Sequence, residues 1–271
     1  MLDIERNRLY QNDCIKLLPQ FKSDSVDLVI TDPPYNLNKA YTSYRDDLHE
    51  DDYVEWCNIW LYQLYRILKP TGSIFIINLP KWCMYHAIFL DKIMYRQRWI
   101  VWDALSVPRG KIMPAHYGLL YYTKSLEYTF NKIMTKARDS FCLRNSCIRN
   151  RESDLAIQSN EISDLWFDLH RIRHRRDRDP HPCQLPMAMI ERIIAMASEK
   201  GDLIFDPFMG VGTVAIVAKL MARDYAGIEI DSKYREISLR KLKNVNDYRI
   251  HLKNIEFSPH HDEGLTRYLD R

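Results

Sequence analysis

The tetrapeptide Asp32-Pro33-Pro34-Tyr35 constrains the fold more than any other feature of this chain, because it follows the apolar run Val26-Asp27-Leu28-Val29-Ile30. A short apolar run that ends at a proline pair predicts a buried β-strand that stops abruptly. Prolines disfavour a helix here, so the chain must leave the sheet extended. A carboxylate, a free carbonyl and an aromatic ring then lie at the carboxyl end of a strand, where open α/β sheets bind ligands. Two acceptors beside a stacking ring suit a planar amine, such as the exocyclic amino group of a nucleobase.

Length and composition bound the class of protein. The chain has 271 residues, of which 46% are hydrophobic and 28% charged, and this suits one large α/β domain or a domain with an insert. No apolar run approaches the roughly 20 residues that a membrane helix needs, and the N-terminus is too polar for a secretory signal. The six cysteines are scattered, so we expect reduced thiols in a cytoplasmic protein that contacts no membrane.

The first half of the chain alternates predicted strands and helices. Apolar residues at helical spacing predict a helix over residues 51–68, which Lys69-Pro70-Thr71-Gly72 ends. A buried strand over residues 73–77 follows, so strand, helix and strand form a parallel βαβ unit. Further elements are predicted for residues 117–123 (strand), 187–198 (helix), 202–205 (strand), 214–222 (helix) and 224–229 (strand).

Between about residues 130 and 180 this alternation fails and positive charge accumulates. Residues 132–178 carry 11 Lys and Arg against 7 Asp and Glu, whereas the formal charge of the whole chain is +3. We therefore expect a basic, mostly irregular insert whose clustered arginines neutralise nucleic-acid phosphates; a solvated charged surface is the alternative. The cluster consists of Arg171, Arg173, Arg175, Arg176 and Arg178.

A second loop, Asp206-Pro207-Phe208-Met209-Gly210-Val211-Gly212-Thr213, joins a predicted strand to a predicted helix. Its glycines allow a ligand close to the backbone, and the helix N-terminus adds partial positive charge. Glu229 ends the next strand, at a spacing that suits a carboxylate on ribose hydroxyls. The loop lacks the third glycine of a dinucleotide site, and Asp206 would repel a phosphate but accept a cationic amino-acid group. These features favour S-adenosylmethionine over NAD.

Together these motifs resemble the β class of amino-group DNA methyltransferases of restriction–modification systems. In that class the catalytic motif precedes the glycine loop, and His181-Pro182-Cys183-Gln184-Leu185-Pro186 resembles the segment that leads into this loop. The resemblance implies an α/β, Rossmann-like methyltransferase fold that is circularly permuted. It divides the chain into a catalytic half (1–130), a target-recognition insert (131–179), a cofactor-binding half (180–250) and a C-terminal tail (251–271).

The resemblance also implies roles for individual residues. Asp32 and the carbonyl of Pro33 would accept hydrogen bonds from the target amine, and Tyr35 would stack on the flipped base. Asp13 would face the adenine of the cofactor and Glu229 its ribose. The full catalytic set is Asp32, Pro33, Pro34 and Tyr35, and the full cofactor set is Asp13, Asp206, Phe208, Gly210, Gly212, Thr213 and Glu229.

The implied activity is site-specific methyl transfer from S-adenosylmethionine to adenine N6 in duplex DNA, by base flipping and direct in-line transfer. Aspartate at position 32 favours adenine, and cytosine N4 is the alternative. An RNA or protein-glutamine methyltransferase and a catalytically silent DNA-binding subunit are more remote alternatives. The expected setting is the cytoplasm, at the nucleoid, with duplex DNA and a restriction endonuclease as partners and a homodimer left open.

Two other interpretations concern cysteines. Cys183 imitates the nucleophile of cytosine-C5 methyltransferases, but it precedes the glycine loop instead of following it, so we expect no covalent role. Cys142 and Cys147 have a loose spacing for a zinc site, and the nearby histidines lie in an arginine run, so we expect no metal.

Overall fold

The computed structural model describes residues 1–39, 44, 46–104, 115–134, 162–169, 185–252 and 255. Eight strands of this part of the chain form one mixed sheet. Their bounds are Arg8–Gln11 (β1), Val26–Thr31 (β2), Leu68–Asn78 (β3), Tyr95–Asp103 (β4), His116–Thr123 (β5), Leu165–Trp166 (β6), Leu203–Asp206 (β7) and Asp224–Glu229 (β8).

The strand order is β1-β8-β7-β2-β3-β5-β4-β6. The first five strands in this order are parallel to their neighbours. Strand β5 runs antiparallel to both β3 and β4, whereas β6 is parallel to β4. The carboxyl ends of five consecutive strands therefore meet at one edge, which is where ligands bind in open α/β sheets.

Helices cover both faces of this sheet. Their bounds are Cys14–Leu17 (α1), Glu50–Ile67 (α2), Pro80–Leu90 (α3), Met187–Ala197 (α4), Thr213–Leu220 (α5) and Ser232–Lys243 (α6). The first three pack apolar side chains against one face, and α4 and α5 pack against the other. These three layers are those of a doubly wound α/β domain, as the sequence predicts. None of the helices in the described residues is both long and apolar enough to cross a membrane.

The strand predicted in front of the Asp-Pro-Pro-Tyr motif lies in the middle of the sheet. β2 pairs with β7 on one side and with β3 on the other, and all its apolar side chains are fully buried. Burial on both faces favours the β-branched and aliphatic residues that this run supplies. The ladder ends at Thr31, and the two prolines that follow Asp32 direct the chain out of the sheet.

The start of the next strand differs from the prediction. Helix α2 ends at Ile67, but the four residues predicted as a turn, 69–72, already belong to β3. Val26 pairs with Leu68 and Leu28 pairs with Ser73, so residues 69–72 form a bulge against a single residue of β2. A Cβ atom on Gly72 would lie 2.8 Å from Cδ2 of Leu68, which explains why the bulge contains a glycine.

In the second half, the predicted helix–strand–helix–strand series is confirmed as α4, β7, α5 and β8, with ends within two residues of those expected. Helices α1, α3 and α6 and strands β1, β4 and β6 were not predicted. Strand β4 begins with Tyr95-Arg96-Gln97-Arg98, and its charged residues conceal the strand pattern. Its position near the edge of the sheet leaves these residues largely in solvent.

The described parts of the predicted insert pack into the domain. Ile133, Trp166 and Leu169 are buried in the core, and β6 extends the sheet beside β4. Arg192 of α4 forms a bidentate ion pair with Asp168, at 3.0 and 2.5 Å, and both side chains are largely buried. The boundaries at 131, 180 and 250 stay a prediction.

We predict that this ion pair anchors residues 162–169. Asp168→Ala should lower the free energy of unfolding by about 3–5 kcal/mol, because Arg192 would remain buried without its carboxylate. Urea unfolding measures the loss. Lys22→Ala is the control, since it breaks an exposed pair with Asp3 and should cost less than about 1 kcal/mol. Equal losses in the two variants would contradict the anchoring role.

Candidate active site

Polar residues end each of the five parallel strands at the shared edge. In spatial order the strand ends are Gln11, Glu229, Asp206, Thr31 and Asn78. Asp32 directly follows Thr31, so three carboxylates that are far apart in the sequence converge there. Asp206 and Glu229 are buried, with 4% and 8% exposure, and Asp32 is half-buried.

Burial raises the pKa values of all three carboxylates, and at Asp206 the neighbouring charges add to the rise. Burial raises the pKa of Asp32 to about 7, although the bond from the Tyr35 hydroxyl opposes the rise. Burial raises the pKa of Asp206 well above its usual range, and the negative charges of Asp32 and Glu229 add to the effect. Burial also raises the pKa of Glu229. Such a cluster is unfavourable when fully ionised and suits a ligand that carries positive charge.

The aromatic residue of the catalytic motif is oriented by the acid that precedes it. The Tyr35 hydroxyl donates a hydrogen bond to Oδ1 of Asp32. The Tyr35 ring is only 6% exposed, and its centroid lies 5.8 Å from that of Tyr117 on β5. Among the described residues, none donates a hydrogen bond to the carbonyl of Pro33. The structure thus brings a carboxylate, a carbonyl and a ring together at the edge of the sheet, as the sequence predicts.

A buried carboxylate fixes the backbone of the segment after this motif. Asp46 accepts hydrogen bonds from the backbone amides of Asn36, Leu37 and Lys39, at 2.8 to 3.0 Å. The Asn36 side chain exchanges two further bonds with the backbone of Leu48. Asn36 has a φ of 54°, which asparagine tolerates better than most residues. These contacts fix the course of the chain directly beyond the catalytic motif.

The glycine loop is tied to the end of the adjacent strand. Gly210 and Gly212 have φ values of 52° and 83°, the left-handed region that favours glycine. Glu229 accepts the amide of Gly210 through Oε2 at 2.7 Å and the amide of Asp231 through Oε1 at 2.8 Å. On the other side, the Ser238 hydroxyl of α6 donates to the carbonyl of Gly210 at 2.8 Å. The loop is therefore held from two elements.

A third glycine shapes this loop from outside it. A Cβ atom on Gly227 of β8 would lie 2.0 Å from Cε of Met209 and 2.7 Å from the carbonyl of Asp206. The loop could not lie against β8 with any larger residue there. This requirement is absent from the loop's own motif, and so the sequence did not reveal it.

The remaining residues of the predicted cofactor set lie around the same loop. The Phe208 ring packs against Trp56 and Trp60 of α2, with centroids 5.6 and 5.3 Å away. Thr213 is the first residue of α5. Asp13 follows β1 and caps α1, because its carboxylate accepts the amide of Ile15 at 2.9 Å. The structure thus gives Asp13 a capping role next to β1, which pairs with β8, and its cofactor role stays a prediction.

Some predicted residues lie outside the described part of the chain. These are Arg171, Arg173, Arg175, Arg176 and Arg178 of the arginine cluster, and the cysteines Cys142, Cys147 and Cys183. Within the described residues, no group of three or more His, Cys, Asp or Glu side chains could hold a metal ion.

Comparison with known proteins identifies the family. The N6/N4 methyltransferase family model, described as DNA methylase, matches residues 26–240. This chain belongs to the DNA methylase family. The match begins at β2, ahead of Asp32, and extends into α6, so it includes both the catalytic motif and the glycine loop.

Three curated relatives are similar over most of the chain. The type II methyltransferase M.HpaI of Haemophilus parainfluenzae is 34% identical over 87% of this chain and 74% of its own length. M.BamHI of Bacillus amyloliquefaciens is 32% identical over 88% of this chain, which spans only 57% of M.BamHI. The DNA adenine methyltransferase YhdJ of Escherichia coli K12 is 29% identical over 90% of this chain and 85% of its own length.

Solved structures share the fold at low sequence identity. The putative DNA modification methylase TTHA0409 of Thermus thermophilus, solved with S-adenosyl-L-methionine, has a TM-score of 0.62 at 20% identity, over 88% of this chain and 94% of its own. The cytosine-N4-specific PvuII DNA methyltransferase has a TM-score of 0.65 at 18% identity, over 90% of this chain and 93% of its own. The Rossmann-like methyltransferase fold expected from the sequence is confirmed.

The crowded carboxylates predict an unusual pH dependence of stability. A carboxyl whose pKa is raised by folding binds its proton more tightly in the folded than in the unfolded state. The free energy of unfolding should therefore fall as the pH rises from about 4, the unfolded pKa, through the folded pKa. Asp206→Asn keeps an acceptor for the amide of Phe208 but removes the charge.

We expect Asp206→Asn to melt about 3 °C or more above the wild type near pH 8, and at the same temperature near pH 4. Thermal melts of the protein without ligand measure this. The exposed substitution Asp51→Asn is the control and should shift neither value. A variant less stable than the wild type near pH 8 would show that the carboxylate cluster imposes no electrostatic cost.

Proposed function

We propose that this chain transfers a methyl group from S-adenosylmethionine to the exocyclic N6 amine of adenine in duplex DNA. The observation that carries the proposal is the placement of Asp32 on the same sheet edge as Asp206, Glu229 and the glycine loop. Membership of the DNA methylase family supports the reaction class, and the curated relatives include two type II methyltransferases and a DNA adenine methyltransferase.

The residues around the glycine loop fit the cofactor. S-adenosylmethionine carries an ammonium and a sulfonium, and when bound it supplies an electrophilic methyl group. Asp206, Asp32 and Glu229 form a buried acidic cluster that such cations would relieve. The close approaches of Ser238 to Gly212 and of Met209 to Gly227 require glycine at both positions if the loop is to keep this place between α6 and β8. We assign Asp206, Phe208, Gly210, Gly212 and Thr213 to the methionine end, Glu229 to the ribose and Asp13 to the adenine.

Asp32 and Pro33 act on the amine. The amino nitrogen of a base is a poor nucleophile, because its lone pair is delocalised into the ring. Two acceptors on its N–H bonds favour a pyramidal nitrogen and stabilise the positive charge that develops as the N–C bond forms. Asp32 supplies one acceptor and the carbonyl of Pro33 the other. Pro34 keeps the motif extended, and Tyr35 stacks on the base, which must leave the duplex to reach the site.

The proposal also names the target base and the partners of this chain. Aspartate at position 32 favours adenine over cytosine, and the relative YhdJ is named an adenine methyltransferase. The cytosine-N4-specific neighbour is 18% identical and supports the fold alone. Duplex DNA would be bound in part by the arginine cluster of residues 171–178, in the cytoplasm at the nucleoid. A restriction endonuclease of the same specificity is the expected functional partner, and a homodimer is open.

Asp32→Ala tests the catalytic assignment. The variant should lose at least about 100-fold in the rate of methyl transfer, because one transition-state contact disappears. Transfer of tritium from labelled cofactor to duplex DNA measures the rate, and calorimetry should show a much smaller loss in cofactor affinity than in rate. If the variant retained more than about a tenth of the wild-type rate, Asp32 would not contact the amine.

The modified nucleoside tests the target base. We expect DNA from a methylation-free host that expresses this chain to contain N6-methyladenine, identified by mass spectrometry after digestion. DNA from the same host expressing Asp32→Ala is the control and should lack it. N4-methylcytosine in its place would favour the cytosine alternative. The absence of both modified nucleosides would overturn the proposal.

A further inference from the structure

The catalytic motif has little means of fixing its own conformation. Asp32, Pro33, Pro34 and Tyr35 lie outside every helix and strand, and the two prolines have no N–H with which to form a turn. The carbonyl groups of this loop must therefore find donors elsewhere in the protein, or solvent. Their orientation matters, because one of these carbonyls is the second acceptor in the proposed function.

Two buried aromatic side chains donate to successive carbonyls of the loop. The Tyr53 hydroxyl of α2 donates to the carbonyl of Pro34. The indole Nε1–H of Trp82, on α3, donates to the carbonyl of Tyr35 at 2.7 Å. Tyr53 is fully buried and Trp82 is 4% exposed, so neither donor exchanges its partner for water.

The two donors are themselves fixed. Their ring centroids lie 4.5 Å apart, which couples α2 to α3 directly behind the loop. At the end of β3, Oδ1 of Asn78 accepts the amide of Leu79 at 2.7 Å, and its Nδ2 lies 3.2 Å from Nε2 of the buried His86. Because His86 and Trp82 both belong to α3, this contact ties the helix that carries Trp82 to the end of β3.

We infer that Tyr53 and Trp82 are positioning residues for methyl transfer. By occupying the carbonyls of Pro34 and Tyr35, they fix two consecutive peptide groups and leave the carbonyl of Pro33 as the acceptor that meets the amine. This inference rests on the proposed function, and it adds residues that neither the catalytic motif nor the glycine loop contains.

Packing alone is the competing explanation, because both rings also belong to the buried cluster beneath α2 and α3. The two explanations differ in what they predict for a substitution that keeps the ring and removes the donor. Tyr53→Phe deletes one oxygen, and Trp82→Phe deletes the indole N–H with part of the ring. Loss of packing would lower stability and cofactor affinity together, whereas loss of positioning would lower kcat.

The test compares kcat, the cofactor Kd and the melting temperature in the full chain. We expect Tyr53→Phe to lower kcat about tenfold or more, with the Kd for S-adenosylmethionine within about twofold of the wild type. Trp82→Phe should do the same, and it carries the test if Tyr53→Phe does not fold. The matched controls are Tyr62→Phe, at an exposed position of α2, and Trp99→Phe, at a half-buried position of β4. Both should keep the wild-type kcat.

The outcomes separate this inference from the proposed function. Wild-type kcat in both donor variants, or a Kd that rises as much as kcat falls, would overturn the positioning role while leaving methyl transfer intact. A wild-type chain that transfers no methyl group to DNA would overturn the proposed function and this inference with it.

Discussion

The constraint on which this structure depends is the parallel alignment of five strands, whose carboxyl ends open at one edge. Asp32, Asp206 and Glu229 come from three of these ends, and no local sequence pattern relates their positions. Burial at this edge raises the pKa values of all three, the charges of Asp32 and Glu229 add to the rise at Asp206, and the raised values cost stability near neutral pH. The same crowding provides a site for a cationic ligand, so an arrangement that is unfavourable in the free protein becomes favourable when that ligand binds.

Two loops at this edge are shaped by residues outside themselves. The glycine loop is held by Glu229 on one side and Ser238 on the other, and Gly227 allows it to approach β8. The catalytic loop is held by hydrogen-bond donors on α2 and α3, and Asp46 accepts backbone amides of the residues that follow it. In each case the reactive backbone carries few internal hydrogen bonds, and rigid neighbouring elements fix its conformation, as catalysis by preorganised groups requires.

Much of the fold follows from local patterns. The buried run before Asp32, the amphipathic helix after it and the strand–loop–helix–strand around Gly210 have short-range signals that propensity and periodicity express directly. The residues that hold the two loops in place have no such short-range signal. Tyr53 and Trp82 lie 19 and 47 residues from their carbonyl partners, and Ser238 lies 28 residues from Gly210. A buried tyrosine at helical spacing has the same pattern whether its hydroxyl is structural or positions a loop. The bulge at residues 69–72 was missed for a related reason, since its shape depends on pairing with β2.

A crystal structure with sinefungin, a cofactor analogue whose amino group replaces the transferable methyl and its sulfonium, would show where the methyl donor lies relative to Asp32. We expect this amine to lie beside the carboxylate of Asp32, within hydrogen-bond reach of about 3 Å, with the amino-acid end at Asp206. An analogue bound away from Asp32, or on another side of the sheet, would contradict the idea that one sheet edge unites the methyl donor with the acid.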